Sequence, residues 1–307
     1  MMKRVIVTGA NGFLGTHLVK RLNEMGIDTV CIVRNEYENV STIIKNASSI
    51  VSCDLNRILE LDKKIPCGEY DALIHLGWTG SSGKLRADYG VQINNTKICV
   101  DSAVAAKKVG CKKFVGVGSI TEKMYVPYLQ KNESHSEPTM CYAVAKMAGQ
   151  LMSKCICEKE GLEFNWGYIS NFYGEGDKSL NIVNFLITNY LNNQIPELTD
   201  GMQMADFTYV SDVADGLIHM AADGQSGHSY YIGYGRPAYL KSFVEEIWKR
   251  INPAVQTGLG KKLFHGIDID YALVDMKKLE RDTGFSSQVS FSEGIDRTIR
   301  WIKQKNE

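Results

Sequence analysis

The feature that most limits the fold of this chain lies at its N-terminal end. A short apolar run at residues 5–7 is followed by glycines at positions 9, 12 and 15 and by a segment with helical periodicity. The apolar residues of that segment are spaced three or four apart: Leu14, Leu18, Leu22 and Met25. We therefore expect a buried strand, a glycine turn and an amphipathic helix in direct succession. In this arrangement the unpaired N–H groups of the helix N-terminus face the turn and can bind phosphate.

Each glycine of the turn suits a separate requirement of a nucleotide-binding loop. Gly9 permits the tight turn out of the strand, and Gly12 allows a pyrophosphate to approach the backbone. Gly15 lets the helix and the strand pack closely. Glycines also cluster in ordinary turns, but here a strand precedes them and a helix comes after them. The pattern favours a dinucleotide site over a purely structural turn.

Strand and helix patterns alternate through the first half of the chain. Further strands are predicted at residues 29–34, 50–53, 71–77, 113–117 and 164–169, and long helices at about 88–108 and 142–160. This alternation predicts an α/β fold with a doubly wound parallel sheet, the Rossmann fold, and right-handed crossovers. We expect ligands to bind beyond the carboxyl ends of the strands.

The alternation becomes less regular after residue 171. Helices are predicted at 179–195, 240–251 and 292–305, and short strands at 207–210 and 230–232, the first of which leads into a helix that ends at about residue 223. We expect residues 1–172, together with about 206–233, to form the dinucleotide-binding Rossmann domain. Residues 173–205 and 234–307 are predicted to form a smaller, discontinuous substrate-binding lobe.

The composition restricts the kinds of partner. Lysine plus arginine number 35, as do aspartate plus glutamate, so the net charge is zero and no nucleic-acid partner is indicated. No segment reaches the roughly 20 apolar residues of a membrane span, and no signal peptide is indicated. The eight cysteines form no C-x-x-C pair. We therefore expect reduced thiols in the cytoplasm, a small-molecule substrate and no metal site.

The residues best suited to proton transfer are Tyr142 and Lys146, which are four positions apart on one predicted helix. Side chains with this spacing lie on the same helix face. A tyrosine titrates near about 10, and a neighbouring ammonium stabilises its phenolate. Ser119, at the end of the predicted fifth strand, can hydrogen-bond the same substrate oxygen. These residues predict general acid–base chemistry on an alcohol or a ketone.

The chain resembles the extended short-chain dehydrogenase/reductase family, in particular its nucleotide-sugar epimerase/dehydratase branch. The motifs that carry the resemblance span most of the chain: residues 8–15 (TGANGFLG), 53–55 (CDL), 75–77 (HLG), Asn95, 118–119 (GS), Tyr142 with Lys146, 171–174 (NFYG), 206–214 (DFTYVSDVA) and 274–277 (VDMK). The resemblance implies that Tyr142 is the acid/base, that Lys146 binds the ribose, and that Ser119 orients the substrate oxygen. Asn95 would support Lys146 through a water molecule, with adjacent Asn94 as the alternative match.

The resemblance also implies the binding residues. The expected cofactor contacts are Gly9, Asn11, Gly12, Phe13, Leu14, Gly15, Arg34, Asp54, Leu55, Leu76, Gly77, Tyr142 and Lys146. The expected substrate contacts are Trp78, Thr79, Ser119 and Asn171. For Trp78, packing under its own loop is an equal alternative. By analogy we also expect a homodimer formed through the helices near 88–108 and 142–160.

The choice of cofactor depends on Arg34. Family members that use NAD usually carry an acidic residue at the end of the second strand, but here the strand ends in Arg34 and the first carboxylate is at Glu36. An arginine can pair bidentately with the 2′-phosphate of NADP. NADP is therefore the preferred prediction and NAD the alternative. A solvated surface arginine is the other interpretation.

The two residues after Ser119 narrow the reaction type. The family's 4,6-dehydratases place Asp-Glu there, whereas this chain has Ile120 and Thr121, which argues against dehydration. The remaining reactions are oxidation, reduction or epimerisation of a sugar alcohol or ketone, with C4 of a nucleoside-diphosphate sugar as the expected centre. Arg34 favours a 4-ketoreductase by a small margin over an NAD-dependent 4-epimerase. A non-catalytic dinucleotide-binding regulator is a further alternative, although the complete catalytic set argues against it.

The substrate side departs from the family pattern. Positions at which family members use arginines to hold a diphosphate carry other residues here: Tyr168, Ala205 and the segment 263–265. Cations that could substitute are Lys178, Arg236, Lys261 and Lys262. Two hypotheses therefore stand: other cations hold the diphosphate, or the substrate is not a nucleotide sugar.

Overall fold

The computed structural model describes residues 2–34, 41, 43, 45–124, 138–264, 266 and 268–306. Its strands are β1 (Arg4–Thr8), β2 (Asp28–Val33), β3 (Ser49–Ser52), β4 (Tyr70–His75), β5 (Cys111–Ser119), β6 (Glu163–Ile169), β7 (Asn171–Tyr173), β8 (Met204–Ala205), β9 (Phe207–Tyr209), β10 (His228–Ile232) and β11 (Ala238–Tyr239). Its helices are α1 (Phe13–Glu24), α2 (Tyr89–Val109), α3 (Met140–Glu160), α4 (Ile182–Leu191), α5 (Val210–Asp223), α6 (Leu240–Ile251), α7 (Lys278–Thr283) and α8 (Phe291–Asn306). Short 3₁₀ segments lie at Leu55–Lys63, Lys84–Ala87 and Tyr271–Leu273.

A parallel sheet of seven strands forms the centre of the fold. The strand order is β10-β6-β5-β4-β1-β2-β3, and every neighbouring pair is parallel. The order reverses at β1, which has β2 on one side and β4 on the other. The predicted doubly wound parallel sheet is therefore confirmed. Because all seven strands point the same way, the residues that come after β1, β2, β4 and β5 converge at one edge.

The central strand β1 is apolar because both of its faces are covered. Val5, Ile6 and Val7 are fully buried. Val5 and Val7 pack in one core layer, whereas Ile6 packs in the layer on the opposite face of the sheet. This alternation follows from the period of two residues along a strand. A continuous apolar run is thus what a strand between two helical layers requires.

Helix α1 packs on the sheet through most of the predicted apolar face. Leu14, Leu18 and Leu22 are buried in the core. The prediction was wrong for Met25, which lies beyond the last helical residue and is 46% exposed. The chain leaves the helix there through Gly26 in the left-handed region (φ 71°), so Met25 does not continue the apolar face.

The C-terminal half adds two small sheets and an aromatic core. Strands β7 and β9 pair in parallel, and β8 and β11 pair antiparallel. Phe243 contacts both Phe207 and Phe291, with ring centroids 4.8 and 4.7 Å apart. The helix predicted at 179–195 is shorter, as α4, because Asn181 caps it by accepting a 2.8 Å hydrogen bond from the Asn184 N–H. Strands β7, β8 and β11 and helix α7 were not predicted.

The described part of the chain contains neither a candidate membrane span nor a candidate metal site. None of its helices is long and apolar enough to cross a membrane. The same residues contain no cluster of three or more histidine, cysteine, aspartate or glutamate side chains that could hold a metal ion.

The close contact at Gly15 leads to a stability prediction. A Cβ atom added there would lie 2.2 Å from the Gly9 carbonyl oxygen and 2.6 Å from that of Ala10. We expect Gly15→Ala to lower the free energy of unfolding by about 1–3 kcal/mol, because the backbone carbonyl groups of Gly9 and Ala10 must move to make room for the methyl group. Urea denaturation measures this loss. Gly68→Ala is the matched control, since an added Cβ meets nothing within 4 Å. Equal stability of the two variants would contradict the prediction.

Candidate active site

Two adjoining cavities lie at the carboxyl edge of the sheet. The larger has a volume of about 680 Å³ and includes these predicted site residues in its lining: Gly9, Gly12, Phe13, Leu14, Gly15, Leu76, Trp78, Ser119, Tyr142, Lys146 and Asn171. The smaller has a volume of about 420 Å³ and includes these: Gly9, Asn11, Gly12, Arg34, Asp54, Leu55, Leu76, Gly77, Trp78, Thr79 and Asn95. The expected catalytic, cofactor and substrate contacts therefore all line one cavity or the other, whereas the suggested substitute cations line neither: Lys178, Arg236, Lys261 and Lys262. Gly9, Gly12, Leu76 and Trp78 line both, so the cavities form one extended cleft.

The glycine turn forms a cradle of bare backbone in this cleft. Gly9 has a φ of 66°, and the Gly12 N–H donates to the Gly9 carbonyl oxygen at 3.0 Å. Gly12 is the N-cap of α1, and no side chain makes a capping hydrogen bond there. The first N–H groups of α1 therefore lack a side-chain cap, and with the positive end of the helix dipole they suit a phosphate. These residues fit the pyrophosphate of a dinucleotide.

The smaller cavity presents polar groups from the ends of β2 and β3. Arg34 is exposed, and its carbonyl oxygen accepts a hydrogen bond from the Ser52 hydroxyl at 3.2 Å. Asp54 caps the following 3₁₀ segment by accepting from the Asn56 N–H at 2.9 Å. Glu36 lies outside the described residues. Among its described lining residues, the side of the cleft expected to hold the adenosine thus offers one cation, Arg34, and one carboxylate, Asp54.

The predicted catalytic residues meet in the larger cavity. Tyr142 lies in the first turn of α3 and is 7% exposed, and it lines the larger cavity together with Ser119. The Ser119 hydroxyl accepts from the Thr121 hydroxyl at 3.0 Å. Burial raises the pKa of Tyr142 to about 12, whereas the charge of Arg86 and the nearby Ser119 hydroxyl act in the opposite direction. The serine is thus placed to share a substrate oxygen with the phenol.

Lys146 lies one helical turn after Tyr142 and is held from two sides. Its ammonium donates to the Val117 carbonyl oxygen at 2.6 Å and lies 3.7 Å from the centre of the Trp78 ring. Trp78 is fixed in turn by donating to the Gln92 side chain at 2.9 Å, and its ring meets that of Tyr142 edge-on at 6.2 Å. Burial lowers the pKa of Lys146, and the negative charge of Glu122 opposes that shift. Trp78 therefore contacts both catalytic side chains.

Glu122 is a residue of this site that the sequence analysis missed. It is 5% exposed, and its two oxygens accept from the Ser119 N–H at 2.5 Å and from the Trp166 indole N–H at 3.1 Å. Burial raises the pKa of this carboxyl, while the charge of Lys146 and the two hydrogen bonds work against the rise. A carboxylate three positions after Ser119, just past a strand end, was the available signal.

Arg86 is a second residue of this site that was not among the predicted contacts, although residues 78–86 were expected to line the mouth of the pocket. It lies in the 3₁₀ segment Lys84–Ala87, and its guanidinium covers the Tyr142 ring at 4.4 Å from the ring centre. Its Nε atom is buried and has no hydrogen-bond partner among the described residues. A basic residue in the loop after β4 was visible in the sequence, but only the path of this loop brings it to the phenol.

Asn95 is placed differently from the expectation. Its amide donates to the Thr79 carbonyl oxygen at 2.7 Å and accepts from the Thr79 N–H at 3.1 Å. It therefore braces the loop after β4, whereas the neighbouring Asn94 is exposed and donates to Asn56 at 2.9 Å. The structure places Asn95 on Thr79, and its proposed link to Lys146 through water stays a prediction. Asn171 is exposed at the start of β7 and faces the larger cavity.

Residues 5–233 match the model of the NAD dependent epimerase/dehydratase family. The chain belongs to this family. It is accordingly an enzyme of the extended short-chain dehydrogenase/reductase type, as its motifs predicted. Among its relatives, a putative UDP-glucose 4-epimerase of Methanocaldococcus jannaschii is 26% identical, with 98% of this chain and 99% of that protein covered.

Solved structures share the fold over the whole chain. The UDP-glucose 4-epimerase of Thermotoga maritima with UDP-glucose superposes with a TM-score of 0.80 at 18% identity, covering 99% of this chain and 100% of that one. The Bordetella bronchiseptica enzyme WbmF in complex with NAD+ and UDP has a TM-score of 0.80 at 22% identity, covering 99% and 93%. Because these sequence identities are low, the structural similarity demonstrates a common fold and nothing more specific.

Proposed function

We propose that this family member is an NAD-dependent 4-epimerase of nucleotide sugars. The observation that carries the proposal is the buried Tyr142, which lines one cavity together with Ser119, Lys146 and the glycine turn. NAD, when bound, would accept a hydride from the sugar and return it. The names of the Methanocaldococcus and Thermotoga relatives support a 4-epimerase, and the ligands of WbmF support NAD and a uridine nucleotide.

The chain's own residues would perform the proton chemistry. Tyr142 takes the proton of the 4-hydroxyl as the hydride leaves C4, so that a 4-ketone forms. Ser119 holds the same oxygen, and Lys146 keeps positive charge beside the phenol. The ketone then presents its other face, the hydride returns to C4, and Tyr142 gives the proton back. No net oxidation occurs, and the configuration at C4 is inverted.

Product analysis tests the proposed reaction directly. We expect purified enzyme to convert UDP-glucose or another UDP-hexose into its C4 epimer without added reductant, as followed by NMR or chromatography. Consumption of NADPH with a 4-keto sugar nucleotide, without epimerisation of any UDP-hexose, would replace this proposal by the 4-ketoreductase. The observation that favours the 4-ketoreductase as the second candidate is the exposed Arg34 in the adenosine part of the cleft.

The cofactor preference gives a separate prediction at Arg34. We expect wild-type enzyme to co-purify with NAD and to bind NADP more weakly. Arg34→Ala should then change the affinity for NAD by only a few-fold, because NAD lacks the 2′-phosphate with which an arginine at the end of β2 would pair. Titration of cofactor-free protein with both dinucleotides measures this. A wild-type preference for NADP that the alanine variant loses would contradict the prediction.

We also propose a homodimer, because the outer face of the α2–α3 pair is apolar and exposed. On α2, Tyr89 is 74% exposed and Ile93 is 65% exposed, one helical turn apart. On α3, Leu151 and Met152 are each 55% exposed. Pairing two copies of this face would form a four-helix bundle. Light scattering should give a dimer for the wild type and a monomer for Ile93→Asp with Leu151→Asp; a monomeric wild type would reject the proposal.

A further inference from the structure

The larger cavity contains few positive charges to receive an anionic substrate. Of its described lining residues, only Arg86 and Lys146 are cationic. Lys146 is 5% exposed, and its ammonium is engaged by the Val117 carbonyl and the Trp78 ring. Among the described side chains, Arg86 is thus the cation of this cavity with unused hydrogen-bonding capacity.

The cations suggested from the sequence do not take this role in the structure. Arg236 lies over the Tyr234 ring at 5.5 Å, and Lys262 pairs with Glu197 at 3.2 Å. Lys178 and Lys261 are exposed and are not part of either cavity lining. Among the described cations, Arg86 is therefore the remaining candidate for the role of the family's arginines.

The segment that carries Arg86 is held in place by hydrogen bonds. The Gln92 amide donates to the carbonyl oxygens of Leu85 at 2.8 Å and Gly80 at 3.0 Å. Asp88, directly after the segment, caps α2 by accepting from the Val91 N–H at 3.0 Å. The guanidinium is therefore presented from a braced loop, and its central carbon lies over the Tyr142 ring, 4.4 Å from the ring centre. A planar guanidinium held in this way is pre-organised for two parallel hydrogen bonds to an oxyanion.

We propose that Arg86 is the residue that binds an anionic oxygen group of the substrate, which is a carboxylate on the sugar or a phosphate of the nucleotide. This inference rests on the proposed 4-epimerase and names how that site recognises its substrate. Its Nε atom, buried and without a described partner, is the donor that such a group would satisfy. The acidic lining residue Asp177 does not compete, because it accepts from the Ser179 N–H at 2.8 Å and from the Asn181 side chain at 2.5 Å.

The position of Arg86 favours the carboxylate. The reacting oxygen must lie at the Tyr142 hydroxyl, and the guanidinium stacks on the ring of the same side chain. In a hexose joined through C1 to a diphosphate, the C6 group is attached beside C4, whereas the phosphates lie across the ring. A uronic acid therefore places its charge nearer to Arg86 than a neutral sugar nucleotide does.

Two substrates and three variants distinguish the sources of the anion. The probes are UDP-glucuronate and UDP-glucose, which differ only at C6, together with UDP as an inhibitor. The variants are Arg86→Gln, which removes the charge, Arg86→Lys, which keeps it without the planar fork, and Lys84→Gln, an exposed cation of the same segment, as the control. The measurements are kcat and KM for each sugar nucleotide, the inhibition constant of UDP, and the shift in Tm caused by each ligand.

A carboxylate subsite predicts a selective loss. Arg86→Gln should lower kcat/KM for UDP-glucuronate by about 10- to 100-fold, mainly through KM, and leave UDP-glucose and UDP within about three-fold. Arg86→Lys should recover part of the loss. A phosphate subsite predicts instead that KM for both sugars and the UDP inhibition constant rise by the same factor. Either result supports the inference, and Lys84→Gln should behave as the wild type.

Equal loss of kcat for both sugars, with KM and UDP inhibition unchanged, would overturn the inference, because Arg86 would then act only on the charge of Tyr142. No effect of Arg86→Gln would overturn it as well. If the wild type epimerises neither sugar, the proposed function fails, and the ligand-induced Tm shifts decide the inference alone. Equal shifts in wild type and Arg86→Gln, or no shift in the wild type, would then reject it.

Discussion

Replacing Tyr142 with phenylalanine should reduce kcat by about 10²–10⁴-fold while leaving dinucleotide binding almost unchanged. The substitution removes only the hydroxyl that would exchange the substrate proton. The ring remains, so its edge-on contact with Trp78 and its stacking under Arg86 are kept. Turnover assays with saturating substrate, together with titration of the cofactor, separate the two quantities.

Tyr168→Phe is the matched control for this experiment. Tyr168 is also a buried tyrosine, its hydroxyl donates to Gln150 at 2.8 Å, and burial raises its pKa to about 12. It is absent from the lining of both cavities. Its loss should therefore reduce stability slightly and leave kcat within a few-fold. If Tyr142→Phe retained activity comparable to that of the control, the catalytic assignment would be wrong.

Replacing Glu122 with glutamine should weaken both the fold and the activity. Each carboxylate oxygen accepts from an N–H group, of Ser119 and of Trp166. An amide supplies one acceptor oxygen, so its NH₂ group would face an N–H donor in a buried site. We expect a loss of about 1–3 kcal/mol in the free energy of unfolding. Glu158→Gln on α3, whose carboxylate side chain is 64% exposed, is the control and should change little.

The same variant should shift the pH profile of kcat toward lower pH. The charge of Glu122 raises the pKa of Lys146 and of Tyr142, so its removal lowers both. The ammonium of Lys146 would then be lost at a lower pH, which moves the basic limb of the profile downward. The other charged or titratable groups that face Glu122 are Lys123, Cys99 and Tyr168. They remain in the variant, so an unshifted profile would show that Glu122 has only a structural role.

The free energy of unfolding of the Glu122→Gln variant should also depend less on pH than that of the wild type. Burial raises the pKa of Glu122 in the folded protein above its unfolded value. Between these two pKa values the folded chain holds a proton that the unfolded chain has released, so this group's contribution to stability falls as pH rises. Glutamine cannot titrate. Urea denaturation across this interval should therefore show a flatter dependence in the variant than in the wild type.

Local sequence patterns determined the sheet and the location of the site. The apolar run at β1, the glycine turn and α1 depend on residues close together in sequence, whose periods of 2 and 3.6 identify strand and helix. Alternation of such units allows few topologies, and parallel strands bring their carboxyl ends to one edge. For this reason the residues expected to contact cofactor or substrate line the cleft, whereas the four cations suggested as substitutes, which no motif located, do not.

The tertiary structure alone decided which side chains contact the catalytic pair. The loop after β4 has no periodic pattern, and its packing brings Arg86 over Tyr142 and Trp78 against Lys146. The turn after β5 folds Glu122 back beneath Ser119, where Trp166 of the neighbouring strand supplies its second hydrogen bond. Apart from the contact between Glu122 and Ser119, these contacts join residues far apart in sequence, and their geometry depends on how helices and loops pack over the sheet. The local periodicity of a sequence does not encode that packing. The location of the site at the carboxyl edge of the sheet was therefore predictable, whereas the positions of Arg86 and Glu122 around Tyr142 were not.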